Sequence, residues 1–216
     1  MSKVLDDIKK RAAALGKTIV LPEGEDKRVV KAASDSVKEG IAKIVLLGNE
    51  AEIKANNPDV DLSGVTIIDP LTYEKAEAYA DLLYELRKEK GMTKELAHET
   101  IKKDYTMFGA LMLKAGDVDG MVSGACHSTA NTLRPGLQVI KTAKGTPIVS
   151  AYFLMIAPEC GNKYCEDGCY IYADAGLNQN PTSEQLAYIA QSSAKSAKAI
   201  AGIEPRIAFL SHSTKG

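Results

Sequence analysis

Three short apolar segments, each stopped by turn residues and followed by a helical pattern, constrain the fold of this chain more than any other feature. They are residues 18–21 (TIVL), 44–47 (IVLL) and 65–68 (VTII), and they end at PEG, GN and DP. Apolar residues recur at helical spacing after the first of them, through residues 26–40. Strands that alternate with helices pair in parallel, because a parallel connection needs a crossover. The sequence therefore predicts an α/β protein with mostly parallel sheets.

The remaining chain continues this alternation, with one all-helical stretch. Residues 73–113 predict three consecutive helices, broken at residues 91–93 and near residue 104, with Thr93 and Asp104 as N-caps. The later segments predict a strand at 119–124 that enters a turn, a hairpin from 148–155 and 170–173, a helix that opens at residues 181–184 and runs through residue 200, and a buried strand at 206–210. Pro135 fits the first turn or a local break of a helix that begins within residues 127–143.

Charge and hydropathy exclude two classes of partner. The 27 basic and 28 acidic residues leave a formal net charge of -1, so no overall field attracts nucleic acid or acidic lipid. No segment approaches 18 uninterrupted apolar residues, and the first residues lack the apolar core of a signal peptide. We expect a cytoplasmic protein with neither nucleic-acid nor membrane partners.

Residues 123–134 (SGACHSTANTLR) concentrate small and hydroxyl-bearing side chains where a strand gives way to a helix. Backbone N–H groups and the helix dipole favour an anion at such a place, and Arg134 offers a planar fork for two phosphate oxygens. The alternative is ordinary helix capping beside a surface arginine. Neither GxxxxGK[ST] nor GxGxxG occurs in this turn, so nucleoside triphosphates and dinucleotides are not indicated.

Cys160, Cys165 and Cys169 could supply three thiolates to a metal, with Cys126 or a histidine as the fourth ligand. Their spacing matches no common zinc or iron–sulfur pattern, which favours reduced structural thiols. We expect no metal and no disulfide.

Several segments resemble the phosphate acetyltransferase family, in colinear order over essentially the whole chain. The segments are SGACHSTANTLRPGLQVIKT, KTIVLPEGEDKRVVKAA, YELRKEKGMT, NPTSEQLAYIA and FLSHSTKG. The resemblance implies a three-layer α/β/α fold like that of isocitrate and isopropylmalate dehydrogenases, with one domain inserted into the other. We expect a first domain at residues 1–147, the start of the second at 148–216, and the C-terminal part of the family missing.

The resemblance also implies the reaction, in which an acetyl group passes between acetyl phosphate and coenzyme A. Coenzyme A acts as a substrate in this reaction, and we expect no tightly bound cofactor. The full-length protein is expected to be a homodimer. Arg134 matches the arginine of the signature segment and would stabilise the phosphate charge. Arg87 matches the arginine of the YELR segment. The family's general base, an aspartate, matches no residue here.

Hydroxyl groups complete the predicted site. Ser128, Thr129 and Thr132 could donate hydrogen bonds to the acyl phosphate, and a second cationic turn comprises Ser213, Thr214 and Lys215. His127 lies within the first turn, but this reaction needs no imidazole, so it could simply hydrogen-bond the loop. Two alternatives stay open: a phosphate butyryltransferase with a larger acyl pocket, and a non-catalytic ligand-binding module.

Overall fold

A computed structural model describes residues 3–160 and 168–210 of the chain. The chain forms two compact units: residues 9–141, and residues 1–8 with residues 142–216. No helix in the described ranges is both long and apolar enough to cross a bilayer. The predicted domain boundary at residue 147 stays a prediction.

The first unit is built on a parallel sheet. The chain begins with α1 (Lys3–Leu15), and the elements that follow in this unit are β1 (Thr18–Leu21), α2 (Lys27–Lys38), β2 (Lys43–Leu47), α3 (Glu50–Asn56), β3 (Thr66–Ile68), α4 (Ala76–Arg87), α5 (Lys94–Lys103), α6 (Tyr105–Ala115), β4 (Gly120–Met121) and α7 (Thr129–Pro135). A 3₁₀ turn at Lys88–Lys90 follows α4, and a π turn at Gly136–Ile140 follows α7. The four strands are parallel in the order β3-β2-β1-β4, which confirms the predicted parallel sheet.

Alternate residues of the central strands face opposite layers of helices. Val20, Val45 and Leu47 pack in a core with α4, α5 and α6, whereas Leu21, Ile44 and Leu46 pack in a second core with α2 and α3. This alternation follows from the two-residue period of a strand. It confirms an α/β/α arrangement in three layers for this unit.

The helix boundaries in the all-helical stretch follow local capping. The side chain of Thr93 accepts from the Leu96 amide at 3.1 Å, and that of Asp104 accepts from the Met107 amide at 2.8 Å. Both N-cap predictions are confirmed. Pro135 ends the regular part of α7, so it marks the local break rather than the first turn.

The second unit contains an antiparallel hairpin of β5 (Tyr152–Ile156) and β6 (Cys169–Ala173), and a helix, α8 (Ser183–Ser196), which ends in a π turn at Ala197–Ala201. Thr182 and Gln185 form a capping box at the start of α8. The predicted hairpin and helix are confirmed.

The predicted buried strand at residues 206–210 is wrong. These residues adopt no regular structure, and Phe209 and Leu210 are 64% and 83% exposed. A strand exists only through ladder hydrogen bonds to a neighbour, and no described residue pairs with this segment. Instead it borders an apolar groove of about 560 Å³ that β6 and α8 also line.

A candidate anion-handling site at the end of the parallel sheet

The candidate site lies where the strand order of the parallel sheet reverses. From β1 the chain proceeds to β2 and then β3 on one side, whereas β4 pairs with β1 on the other. The carboxyl ends of β1 and β4 therefore lie side by side and lead into residues 22–26 and 122–127. In open α/β sheets, ligands bind in the crevice at this reversal.

A buried carboxylate, Glu23, occupies this crevice. Its side chain is 1% exposed. Oε2 accepts hydrogen bonds from the backbone amides of Gly124 and Ala125 at 2.9 and 3.0 Å. Oε1 accepts one from the Cys126 amide at 3.0 Å and lies 2.7 Å from Nδ1 of His127. Each carboxylate oxygen thus meets at least two N–H donors when Nδ1 carries a proton.

These donors control the ionisation of Glu23. Burial alone would raise its pKa, but hydrogen bonds from the Cys126 amide, the His127 ring and the amides of Ala125 and Gly124 outweigh burial and lower the pKa to about 2. Glu23 is therefore a carboxylate at any physiological pH. The negative charge at the end of β1 is permanent.

A second contact ties the same turn to the start of α2. The guanidinium of Arg28 donates from one terminal nitrogen to the carbonyl oxygen of Ala125 at 2.6 Å. It also forms a two-point contact with Asp26, with Nε to Oδ1 at 3.0 Å and the terminal nitrogen to Oδ2 at 2.6 Å. Asp26 itself caps α2 by accepting from the Arg28 amide at 2.8 Å. Segment 23–28 thus holds both the N–H groups and a carbonyl of turn 124–127.

The thiol of Cys126 lies between two carboxylates. Sγ is 3.5 Å from Oε1 of Glu23 and 3.4 Å from Oε1 of Glu25. Partial desolvation of the thiol, its hydrogen bond to Glu25 and the negative charges of both glutamates raise the pKa of Cys126 to about 12, although the residue as a whole is exposed. The thiol is therefore protonated at neutral pH and is a poor nucleophile there.

The hydroxyl groups predicted to bind phosphate differ in whether their protons remain free to donate a hydrogen bond. Ser128 is the N-cap of α7, and its Oγ accepts from the Asn131 amide at 3.3 Å, which leaves its proton to donate. Thr132 donates its proton to the carbonyl oxygen of Ser128 at 3.1 Å, so it can only accept a further hydrogen bond. Thr129 is exposed in the first turn of α7. Ser128 and Thr129 thus keep the predicted capacity to donate.

Arg134 lies in the last turn of α7 and is exposed. A terminal nitrogen donates to Oδ1 of Asn131 at 2.6 Å, one helical turn earlier. The π turn that follows is anchored in the core by Val139, which is fully buried and packs in the same cluster as Leu83 and Phe108. Asn131 therefore orients the side chain of Arg134, and the buried turn that follows anchors the backbone of α7 next to this residue.

Arg87 is the last residue of α4 and is half-buried. It follows Leu83 by four residues, so both lie on the same face of α4. The side chain of Arg87 makes no hydrogen bond or ion pair with the residues that the structure describes. Ser213, Thr214 and Lys215 lie outside the described residues, as does Cys165.

Comparisons with known proteins show the family of the chain. Residues 3–216 match the family described as Phosphate acetyl/butaryl transferase. The chain belongs to this family. A phosphate acetyltransferase from Acetivibrio thermocellus is 54% identical over 212 residues, which cover 98% of this chain and 63% of that protein.

Two solved structures agree with this placement in the phosphate acetyl/butaryl transferase family. A phosphotransacetylase from Streptococcus pyogenes superposes with a TM-score of 0.88 at 37% identity, covering 100% of this chain and 64% of that one. The EutD phosphotransacetylase from Staphylococcus aureus gives 0.85 at 38% identity, covering 99% and 62%. The chain thus spans somewhat under two thirds of the length of these relatives.

One part of the site differs from the expectation that the local pattern of residues 123–134 gave. Free backbone amides of this segment were expected to favour an external anion, yet those of residues 124–126 donate to Glu23. A phosphate could reach these amides only by displacing a buried carboxylate. These three amides are thus occupied, whereas the hydroxyls of Ser128 and Thr129 can still donate to a ligand.

Sequence reasoning missed Glu23 and Arg28 as parts of the site. Both lie in the segment KTIVLPEGEDKRVVKAA, whose resemblance to the family was the available signal. Nδ1 of His127 contacts Glu23 of the neighbouring segment, and the interpretation that this histidine simply hydrogen-bonds the loop stays a prediction.

Glu23, Cys126 and His127 bring ligand atoms within 4.8 Å of one another, the composition of a possible metal site. The carboxylate is already used, because Oε1 accepts from the Cys126 amide and contacts His127. These three residues therefore serve an internal hydrogen-bond network. The side chain of Cys160 is not among those described, and Cys169 is buried in β6, so the expectation of structural thiols without a metal stays a prediction.

Proposed function

We propose that this chain carries the phosphate-handling part of a phosphate acetyltransferase, which transfers an acetyl group reversibly between acetyl phosphate and coenzyme A. Family membership supports this activity, and so do the relatives that bear this name. The observation that carries the proposal is the position of Arg134. It is an exposed guanidinium in the last turn of a helix that carries Ser128 and Thr129 at its N-terminal end and that begins after the reversal of a parallel sheet.

In this reaction the thiolate sulfur of coenzyme A attacks the carbonyl carbon of acetyl phosphate. A new C–S bond forms, and the bond between the carbonyl carbon and the bridging oxygen breaks. Phosphate leaves with the electron pair of that bond. Negative charge grows on the departing phosphate, so a fixed guanidinium stabilises the transition state more than the ground state. Arg134 would supply that charge, and Ser128 and Thr129 would donate hydrogen bonds to the phosphate oxygens.

Arg87 is the second proposed contact. A half-buried guanidinium without a described protein partner retains its full capacity to bind an anion. It would bind the phosphate or an anionic group of coenzyme A. The proton of the coenzyme A thiol must go to a base, and the family's aspartate for this task matches no residue in this sequence.

The test is acetyl transfer by the full-length protein and its Arg134→Ala variant, measured as thiol release or thioester formation. Loss of a charge-stabilising group predicts a fall in phosphate-dependent turnover of about a hundredfold or more. Lys102→Ala, which removes an exposed cation from α5, is the matched control and should retain full activity.

Unchanged kinetics in Arg134→Ala would remove this residue from the site. Faster turnover of butyryl phosphate than of acetyl phosphate would make the protein a butyryltransferase. Binding of coenzyme A without any acyl transfer would instead indicate a non-catalytic binding module.

A further inference from the structure

The turn that carries the predicted phosphate site is built around an anion that the chain itself supplies. Three consecutive backbone amides, those of residues 124–126, point at one carboxylate, together with the ring of His127. Consecutive amides that converge in this way form a concave anion site of the kind that binds phosphate in other proteins. Here the site is filled from the end of the neighbouring strand β1.

We infer that Glu23 is a positioning residue for the phosphate site: its buried carboxylate fixes turn 124–127, and through this turn it sets the position of α7 and Arg134. The kinetic part of this inference rests on the proposed function. The structural part does not, because it concerns only hydrogen bonds within the chain.

The pattern of hydrogen bonds requires a carboxylate rather than any polar side chain. Oε2 accepts from two amides, and Oε1 accepts from the third and contacts His127. A glutamine has the same shape, but one of its two terminal atoms is an NH₂ group. In either orientation this group would face N–H donors, and these would lose their acceptor. Glu23→Gln is therefore a nearly isosteric change that removes the negative charge and one of the two acceptor oxygens.

The path from Glu23 to Arg134 is short and stiff. His127 directly precedes the N-cap Ser128, and α7 follows without an intervening loop. The far end of α7 is anchored by the buried Pro135, and the π turn that follows is anchored by the buried Val139. A shift of turn 124–127 would therefore tilt the first turn of α7, which carries Ser128 and Thr129, and reorient the helix that presents Arg134.

The first experiment measures hydrogen exchange of the backbone amides of residues 124–126 by NMR, in the wild-type chain and in Glu23→Gln. Loss of hydrogen bonds to a buried charge should speed their exchange by about tenfold or more relative to the amides of β1. Glu50→Gln, which removes an exposed carboxylate from α3, is the matched control and should leave these rates unchanged. Unchanged rates in Glu23→Gln would overturn the inference.

A second variant keeps the test decisive if Glu23→Gln does not fold. Glu23→Ala leaves a space for a small carboxylate, so formate should restore the slow exchange of the three amides or the folded state itself. Formamide has nearly the same size and no charge, and it should restore neither. Equal effects of formate and formamide would show that the space, and not the anion, matters.

The kinetic experiment separates positioning from stability. If Glu23 acts through Arg134, Glu23→Gln should raise the KM for phosphate by about tenfold while changing the KM for acetyl-CoA far less. Partial unfolding would lower kcat alone. In an Arg134→Ala background the effect of Glu23→Gln on the phosphate KM should disappear, and a persistent effect would contradict the proposed path. A wild-type protein that transfers no acetyl group would refute the proposed function and leave the exchange result standing.

Discussion

The α-carbon of Gly24 lies so close to the carbonyl oxygen of Leu47 that a Cβ atom at residue 24 would be 2.2 Å from that oxygen. Leu47 ends β2, and Gly24 directly follows Glu23 after the end of β1. The close approach of these two backbones therefore sets where the Glu23 side chain begins. A glycine is required here by space rather than by backbone dihedral angle.

Gly24→Ala should destabilise the protein because the opposing atom belongs to the backbone and cannot rotate away. We expect the free energy of unfolding to fall by about 2 kcal/mol or more, the usual range for overpacking at a tight site. Urea denaturation followed by circular dichroism measures this. Gly136→Ala is the control, since a Cβ at residue 136 has no neighbour within 4 Å, and it should change stability by less than about 1 kcal/mol. Equal effects of the two variants would show that the contact with Leu47 is unimportant.

The thiol of Cys126 should become more reactive when Glu25 loses its charge. Partial desolvation, followed by the hydrogen bond and charge of Glu25 and then those of Glu23, raises the pKa of this exposed residue's thiol to about 12. Glu25→Gln should therefore lower the pKa and increase the rate of alkylation by iodoacetamide at pH 8, about tenfold for each unit of pKa. Mass spectrometry of the labelled peptides identifies the site. Cys169, which is buried, is the internal control, and a rate at Cys126 equal to that of wild type would contradict the role of Glu25.

The stability of the protein should depend on pH through Glu23. Its pKa is about 2 in the folded chain and near the ordinary value of 4.5 in the unfolded chain. A lowered pKa stabilises the folded state fully above about pH 4.5, and this contribution is lost as the pH falls from there toward 2. In this window the unfolded state binds the extra proton, so stability should decrease as the pH decreases.

Denaturant unfolding of wild type and Glu23→Gln between pH 5 and pH 2.5 tests this dependence. The slope of the free energy of unfolding against pH should be smaller in the variant by up to about 1.4 kcal/mol per pH unit, the value for one proton. Glu50→Gln removes an exposed carboxylate and should keep the wild-type slope. Parallel curves for wild type and Glu23→Gln would mean that the pKa of Glu23 does not differ between the folded and the unfolded chain.

The sequence predicted the parallel sheet and the helix starts because these depend on local patterns. The strands β1, β2 and β3 each combine an apolar run with a turn signal, and Thr93 and Asp104 cap helices with side chains that reach three residues ahead. The role of Glu23 could not be predicted in this way. Its partners follow it by more than a hundred residues, and its neighbours Glu25 and Asp26 carry the same charge. Only the pairing of β1 with β4 brings this one carboxylate to the turn.

The prediction for residues 206–210 failed for the converse reason. Their apolar run satisfies the local pattern of a strand, but a strand also needs a partner in space, and none of the described residues supplies one. Likewise, the amides of residues 124–126 fit a local anion-binding pattern. The sequence could not indicate that the anion would come from the chain itself.

Asn131 should orient Arg134, since its Oδ1 accepts from the guanidinium at 2.6 Å on the exposed face of α7. Asn131→Ala removes this acceptor and leaves the charge in place, so the guanidinium would sample more rotamers. We expect the KM for phosphate to rise by about threefold to tenfold, the scale of one hydrogen bond to a charged group at an exposed site, with the melting temperature unchanged. Asn56→Ala at the exposed end of α3 is the matched control. A larger loss than that of Arg134→Ala would indicate that Asn131 contacts the substrate itself, and wild-type kinetics would show that the 2.6 Å contact does not constrain Arg134.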